Sequence, residues 1–170
     1  MRILSIDPGR KNLAVADLEK EDDRVRIISV DLVDLKVKKI SAVVAAGTAW
    51  LSDKITSGGV QYDVIVIETQ IGPNSTQKCL ASALQATGVC HGIHVVFKTA
   101  IWKLNQLSGY VKKMSYRDRK KLAIRHFLMK VTDKEFDIDK QIVLDFQDRK
   151  KQDDIADSCL QGFLYLLSRK

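Results

Sequence analysis

Three β-rich stretches follow one another at the start of the chain, and the links between them are too short for a crossover. Residues 2–7 (RILSID), 12–18 and 24–33 have the apolar and β-branched content of strands, and PGRK and EKEDD join them. Parallel neighbours need a connection of about a dozen residues or more. These three segments can therefore pair only as an antiparallel meander. The first turn contains Gly9, which can supply an unusual backbone angle.

The chain then changes period. Residues 36–56 place Val37, Ile40, Val43, Val44, Leu51 and Ile55 at largely helical spacing. A helix there carries the chain back across the sheet, so that YDVIVIE at 62–68 lies parallel to the first strand. Residues 73–90, with Pro73 near the first turn and many Ala and Ser, read as a second helix leading to a fifth strand, IHVVFK at 93–98. Residues 115–131 form a basic amphipathic helix with Ser115 as its N-cap, and 153–168 form a last helix. Residues 132–150, which include the acidic DKEFDIDK, declare no element. The expected fold is α/β: a five-stranded mixed sheet, an antiparallel three-strand meander extended by two parallel strands, with helices on both faces. No repeat, low-complexity tract or linker divides the chain, so 1–170 is read as one domain.

In this arrangement Asp7 and Glu68 close neighbouring parallel strands at the same sheet edge, where open α/β sheets gather their ligands. Two carboxylates placed there repel and raise one another's pKa unless a cation lies between them. The last helix opens with QDDIADSCL, in which Asp154 and Asp157 are three apart and share a face. If that helix crosses the sheet edge, both can aim at Asp7 and Glu68, while Asp153 points elsewhere and caps the helix. Four oxygen donors of this kind select Mg²⁺ or Mn²⁺. Two such ions suit in-line phosphoryl displacement.

Charge supplies the substrate class. The net charge is +7, yet residues 98–130 alone hold ten Lys or Arg against a single acid, Asp118. One basic segment on a near-neutral body is the electrostatic footprint of a polyanion. Cys79, Cys90 and Cys159 have no disulfide-framework spacing and read as free thiols in a reducing, intracellular compartment. Cys90, His91 and His94 lie together but lack a fourth ligand for zinc. No apolar run approaches the ~18 residues of a membrane span, and no secretory layout opens the chain.

ILSIDPGRKNLAVADL, VIVIE and QDDIADSCL resemble the three motifs of RuvC-type Holliday junction resolvases, within the RNase H-like superfamily; the IDPG-K-NLA pattern and the K-K-DDIADS ending look closest to the poxvirus branch. The resemblance implies an RNase H-like fold and a homodimer that nicks two opposing strands of a four-way DNA junction with divalent metal. It makes Asp7, Glu68, Asp154 and Asp157 the metal-binding catalytic acids, with two Mg²⁺ per site and Mn²⁺ as a substitute. A basic residue near the active site is matched best by Lys112, with Lys113 and Lys120 close behind. Arg117, Arg119 and Lys121 in the same run are expected on DNA, and Lys150 and Lys151 near the scissile phosphate. The resemblance also implies the cytoplasm of a virus-infected cell, and neither a membrane nor a small-molecule substrate. IETQIGPNSTQK, after the catalytic Glu, does not match bacterial relatives residue by residue.

The alternatives are a relative that cuts RNA–DNA hybrids or structured RNA, and a DNA-binding module without activity. Actin-like ATPases and sugar kinases need several phosphate-loop glycines, whereas Gly9 alone precedes residue 47, and no GxxxxGK[ST] stretch is present.

Overall fold

The structure is a computed structural model that describes residues 1–57, 59–108, 114–149 and 151–169. Strands β1 (Arg2–Asp7), β2 (Leu13–Glu21) and β3 (Arg24–Val33) form the antiparallel meander. β2 runs on past residue 18 because its charged end is paired: Glu19 faces Arg26 and Glu21 faces Arg24. Cross-strand pairs of opposite charge stabilise such a hairpin tip.

Helix α1 (Ile40–Thr56) crosses to β4 (Val64–Glu68), which pairs parallel with β1. The helix starts later than its apolar spacing suggests, since Lys36 has φ +56° and cannot belong to a right-handed helix. Helix α2 (Ser75–Cys90) then leads to β5 (His94–Lys98), parallel to β4. Its N-cap is Asn74, whose side chain accepts from Gln77 N, so Pro73 precedes the cap and lies outside the first turn.

The second half adds three elements that the sequence pattern does not declare. Helix α3 (Ala100–Ser108) follows β5, β6 (Phe136–Ile138) pairs parallel with β3, and α5 (Lys140–Asp148) follows behind the Asp139 N-cap. Among the described residues the sheet accordingly has six strands, ordered β5-β4-β1-β2-β3-β6, and not five. Helix α4 (Tyr116–Thr132) begins at the expected Ser115 cap, and α6 (Gln152–Leu167) ends the fold.

The sheet separates two apolar cores. On one face α1 and α2 bury Val43, Leu51, Leu80 and Leu84 against Leu4, Ile6, Ile65 and Ile67. On the other, α4 and α6 cover Ile3, Leu18, Ile27 and Val66, joined by the aromatic cluster Phe127, Phe136, Phe146 and Phe163. Helix α6 is buried along most of its length because it lies across β1, β2, β3 and β4. That crossing positions the site. No helix among the described residues is long and apolar enough to cross a membrane.

Candidate active site

Side chains alternate along a strand, so Ile3, Ser5 and Asp7 share the face of β1 that meets α6. On β4 the same parity gives Val64, Val66 and Glu68. The parallel register pairs Ile6 with Ile67 and thereby sets Asp7 beside Glu68. Both acids stand at the carboxyl ends of their strands. The turn after Asp7 does not use a positive φ at Gly9. Glycine is needed there for space, because a Cβ would collide with the Asn12 carbonyl oxygen.

Helix α6 brings the other two acids. A Cβ on Gly162 would come within 3.0 Å of Ser5 Cβ and strike Leu18, so the helix lies close on β1 and β2 at this glycine. The buried Gln161 amide donates to Ser5 Oγ at 3.2 Å, the Ile6 carbonyl at 3.4 Å and the Val66 carbonyl at 3.3 Å. One side chain thus ties α6 to both acid-bearing strands just ahead of their acids. Asp154 and Asp157 consequently line the same cleft as Asp7 and Glu68, with a volume of about 480 Å³.

A lysine stands among these carboxylates. Lys103 of α3 is 1% exposed. Its Nζ lies 2.6 Å from Asp157 Oδ1 and 3.2 Å from Glu68 Oε2, and donates to the Asp157 carbonyl at 3.4 Å. Burial opposes its charge, but Asp157 and Glu68 outweigh burial and hold the ammonium above its ordinary range. Asp7 is half-buried and receives a 3.4 Å contact from Gln70 Nε2. Burial first, and the Glu68 charge second, push its carboxyl well above the usual carboxylate range, against an opposing pull from Lys103. Burial and Asp153 likewise raise Asp154.

Asp153 does not cap α6. The N-cap is Lys151, without a side-chain bond, and Asp153 lies in the first turn and pairs with Lys120. Burial disfavours the charge of Asp153, but the Lys120 hydrogen bond prevails and holds its carboxyl below the usual range. Lys120 also lies 3.6 Å from Asp154.

An all-oxygen donor set of four carboxylates fits a hard divalent ion. Among the described residues, however, no three His, Cys, Asp or Glu side chains stand close enough to share an ion as placed. At the acids, Lys103 bridges Glu68 and Asp157. At the Cys90–His94 stretch, His91 Nε2 bonds Ser52 Oγ at 2.9 Å and Cys90 is a free, exposed thiol.

The sequence profile of the family described as "Poxvirus A22 protein" matches residues 1–169. The chain belongs to that family. It is the family of Holliday junction resolvases, and this member is a nuclease of that class. No curated protein matches the chain in sequence. Among solved structures it is similar to RuvC of Thermus thermophilus, with a TM-score of 0.67 at 12% identity, covering 99% of this chain and 97% of that one. The same RuvC in complex with a Holliday junction substrate gives 0.66 at 12% identity, covering 99% and 96%. The Mn-soaked, inhibitor-bound terminase nuclease domain of human cytomegalovirus gives 0.62 at 13% identity, covering 97% and 83%. These likenesses establish the RNase H-like fold.

The basic residues of this poxvirus-family nuclease divide by position. Arg119, Lys120 and Lys151 line the cleft. Arg117 is exposed on α4 and does not line it, and Lys121 lines a separate groove with Ile124, Arg125 and Leu128. Lys112, Lys113 and Lys150 lie outside the described residues. Among the described residues, Arg119 Nε is buried without a hydrogen-bond partner.

Sequence reasoning missed Lys103, Arg10, Lys11, Gln70 and Gln161. For Lys103 a signal existed. Ala100, Lys103, Leu104 and Leu107 follow the i, i+3, i+4, i+7 stripe of an inward helix face, so this lysine occupies a core position.

Proposed function

We propose that this nuclease resolves four-way DNA junctions by paired symmetric nicks, using divalent metal held by Asp7, Glu68, Asp154 and Asp157. The observation that carries this reading is the convergence of four acids from β1, β4 and α6 on one cleft whose remaining charged lining is basic: Arg10, Lys11, Arg119 and Lys151, besides the ion-paired Lys103 and Lys120. Two Mg²⁺ or Mn²⁺ ions, when bound, supply an activated water and a counter-charge for the leaving oxygen. The protein's own part is positional. β1 and β4 fix two acids by register, and Gln161 fixes α6 so that the other two face them. Arg119 and Lys151 are suited to hold the phosphates flanking the cut, Arg119 with a buried Nε–H that has no partner among the described residues.

Paired nicks call for two sites related by a two-fold axis, hence a homodimer. Helix α2 offers a face for it. Leu80, Leu84 and Gly88 point into the core, while Cys79, Ser82, Ala86 and Val89 form an exposed, uncharged stripe. A charged residue at Ala86 should yield monomers in light scattering if this stripe is the contact. An undisturbed dimer would move the interface elsewhere.

Substrate choice is tested by comparing a labelled four-way junction, a plain duplex and an RNA–DNA hybrid, with Mg²⁺, Mn²⁺ or EDTA. Metal-dependent, symmetric cuts in the junction alone are expected. Cleavage of the hybrid instead would keep the acids and replace the substrate.

A further inference from the structure

The cleft already contains a cation that belongs to the chain. Lys103 reaches it from α3, on the inward stripe that Leu104 also occupies, with its stem buried and its ammonium between Glu68 and Asp157. A phosphate-binding lysine would point its head toward the open cleft, where Arg10, Lys11 and Lys151 line the wall. Lys103 is instead 1% exposed and turned onto the acids. Its three oxygen partners lie on two elements, β4 and α6, and its ammonium links them at the level of the acids. A buried ammonium persists only where carboxylates compensate it, and clustered carboxylates persist only where a cation does the same. The arrangement is mutual.

From this geometry we infer that Lys103 is the resident counter-cation of the acid site, and that a divalent ion engaging both Glu68 and Asp157 must displace its ammonium. Metal binding is then an exchange of cations. In the protein without metal or DNA, Lys103 limits repulsion among the acids and fastens α6 to β4. It also weakens the intrinsic affinity of the site, because an ion must compete for two of its four acids. The inference rests on the reading of these acids as the metal site.

The test is calorimetric titration of Mn²⁺ into the DNA-free protein and into Lys103→Met, which keeps an unbranched apolar stem as far as Cε while removing the ammonium. The expected results are Mn²⁺ binding tightened by about tenfold or more, and a melting temperature below that of the wild type in EDTA that recovers on adding Mn²⁺. A purely packing role for Lys103 would lower the melting temperature without tightening Mn²⁺. Unchanged or weaker Mn²⁺ binding in Lys103→Met overturns the inference while leaving the metal site standing. Absence of Mn²⁺ binding in both proteins overturns the metal site itself, and the exchange with it. Should Lys103→Met fail to fold, the wild type gives the answer. The ¹³Cε signal of Lys103, assigned by its loss in Lys103→Arg, should shift during Mg²⁺ titration with the same midpoint as metal binding. A signal that stays fixed through saturation contradicts displacement.

Discussion

The β1–β4 strand pair carries a charged cluster at each end, and the two are built on different terms. At the start of β1, Asp17 accepts from Arg2 Nε at 3.0 Å and Nη2 at 2.9 Å, and from the Tyr62 hydroxyl at 2.9 Å. One acid meets one guanidinium and one phenol, and burial together with Asp17 keeps that phenol protonated. A register shift between Asp17 and Leu18 marks the same place on β2. At the far end, Asp7, Glu68, Asp153, Asp154 and Asp157 meet two ion-paired lysines, Lys103 and Lys120, and Asp7 and Asp154 are left with raised carboxyls. The first cluster is satisfied within the fold. The second is satisfied only in part, as the proposed metal site would require. On the proposed reading, the difference lies in pairing: Asp17 has a guanidinium and a phenol to itself, whereas Glu68 and Asp157 share one lysine and Asp153 and Asp154 share another.

The comparison breaks most visibly in activity. Replacing Asp7, Glu68, Asp154 or Asp157 by its amide should cut junction cleavage by on the order of 10²–10⁴-fold, since metal stabilisation of transition-state charge is worth several kcal/mol. Junction binding in a gel-shift assay should persist. Retained turnover in any one variant would remove that residue from the site.

The opposite cluster should answer in stability alone. Asp17→Asn leaves Arg2 without its partner and should cost about 3 kcal/mol in denaturant unfolding, with cleavage per folded molecule unchanged. A loss of activity at equal folded fraction would mean that the two ends are coupled.

Titration separates them further. In the native protein Asp7 keeps its proton to higher pH than in the unfolded chain. Between the ordinary aspartate range and that raised value the native state binds more protons, so metal-free stability should fall as pH rises. Asp153 has the opposite sign: Lys120 depresses it, and its contribution is lost as pH falls below the ordinary range. Melting in EDTA across pH should show both slopes, and Asp7→Asn should reduce the first to the part that the raised Asp154 contributes.

The smallest effect belongs to the rim. Arg119→Ala or Lys151→Ala should weaken junction binding and reduce the log–log salt slope by about one for each phosphate that the side chain neutralises. A slope equal to that of the wild type would deny the residue a phosphate.

The parts of this molecule that are legible in the sequence have long periodic signals. Strands β1 and β4 announce Asp7 and Glu68 because an apolar run ends abruptly in an acid, and the Asp154–Asp157 spacing places both on one helix face. What stays hidden is short or broken by a polar residue. β6 has three residues, too few for any alternation to register. The stripe of α3 is interrupted by Lys103, which in the sequence is one more cation in a basic segment. Gln161 sits inside an apolar helix, and the backbone carbonyls that occupy it carry no sequence signature. Lys120 reads as a phosphate ligand until the fold brings Asp153 against it. In each case the missing information is a partner distant in sequence.

The most direct test of the central claim is thermal melting of the wild type and Asp7→Asn, each in EDTA and with saturating Mn²⁺. If the acid cluster is held short of satisfaction for the sake of metal, Asp7→Asn melts above the wild type in EDTA. Mn²⁺ then raises the wild type and leaves the variant nearly unmoved. A variant that melts below the wild type in EDTA, or gains as much from Mn²⁺, would show that Asp7 is a structural acid like Asp17 and that the metal centre lies elsewhere.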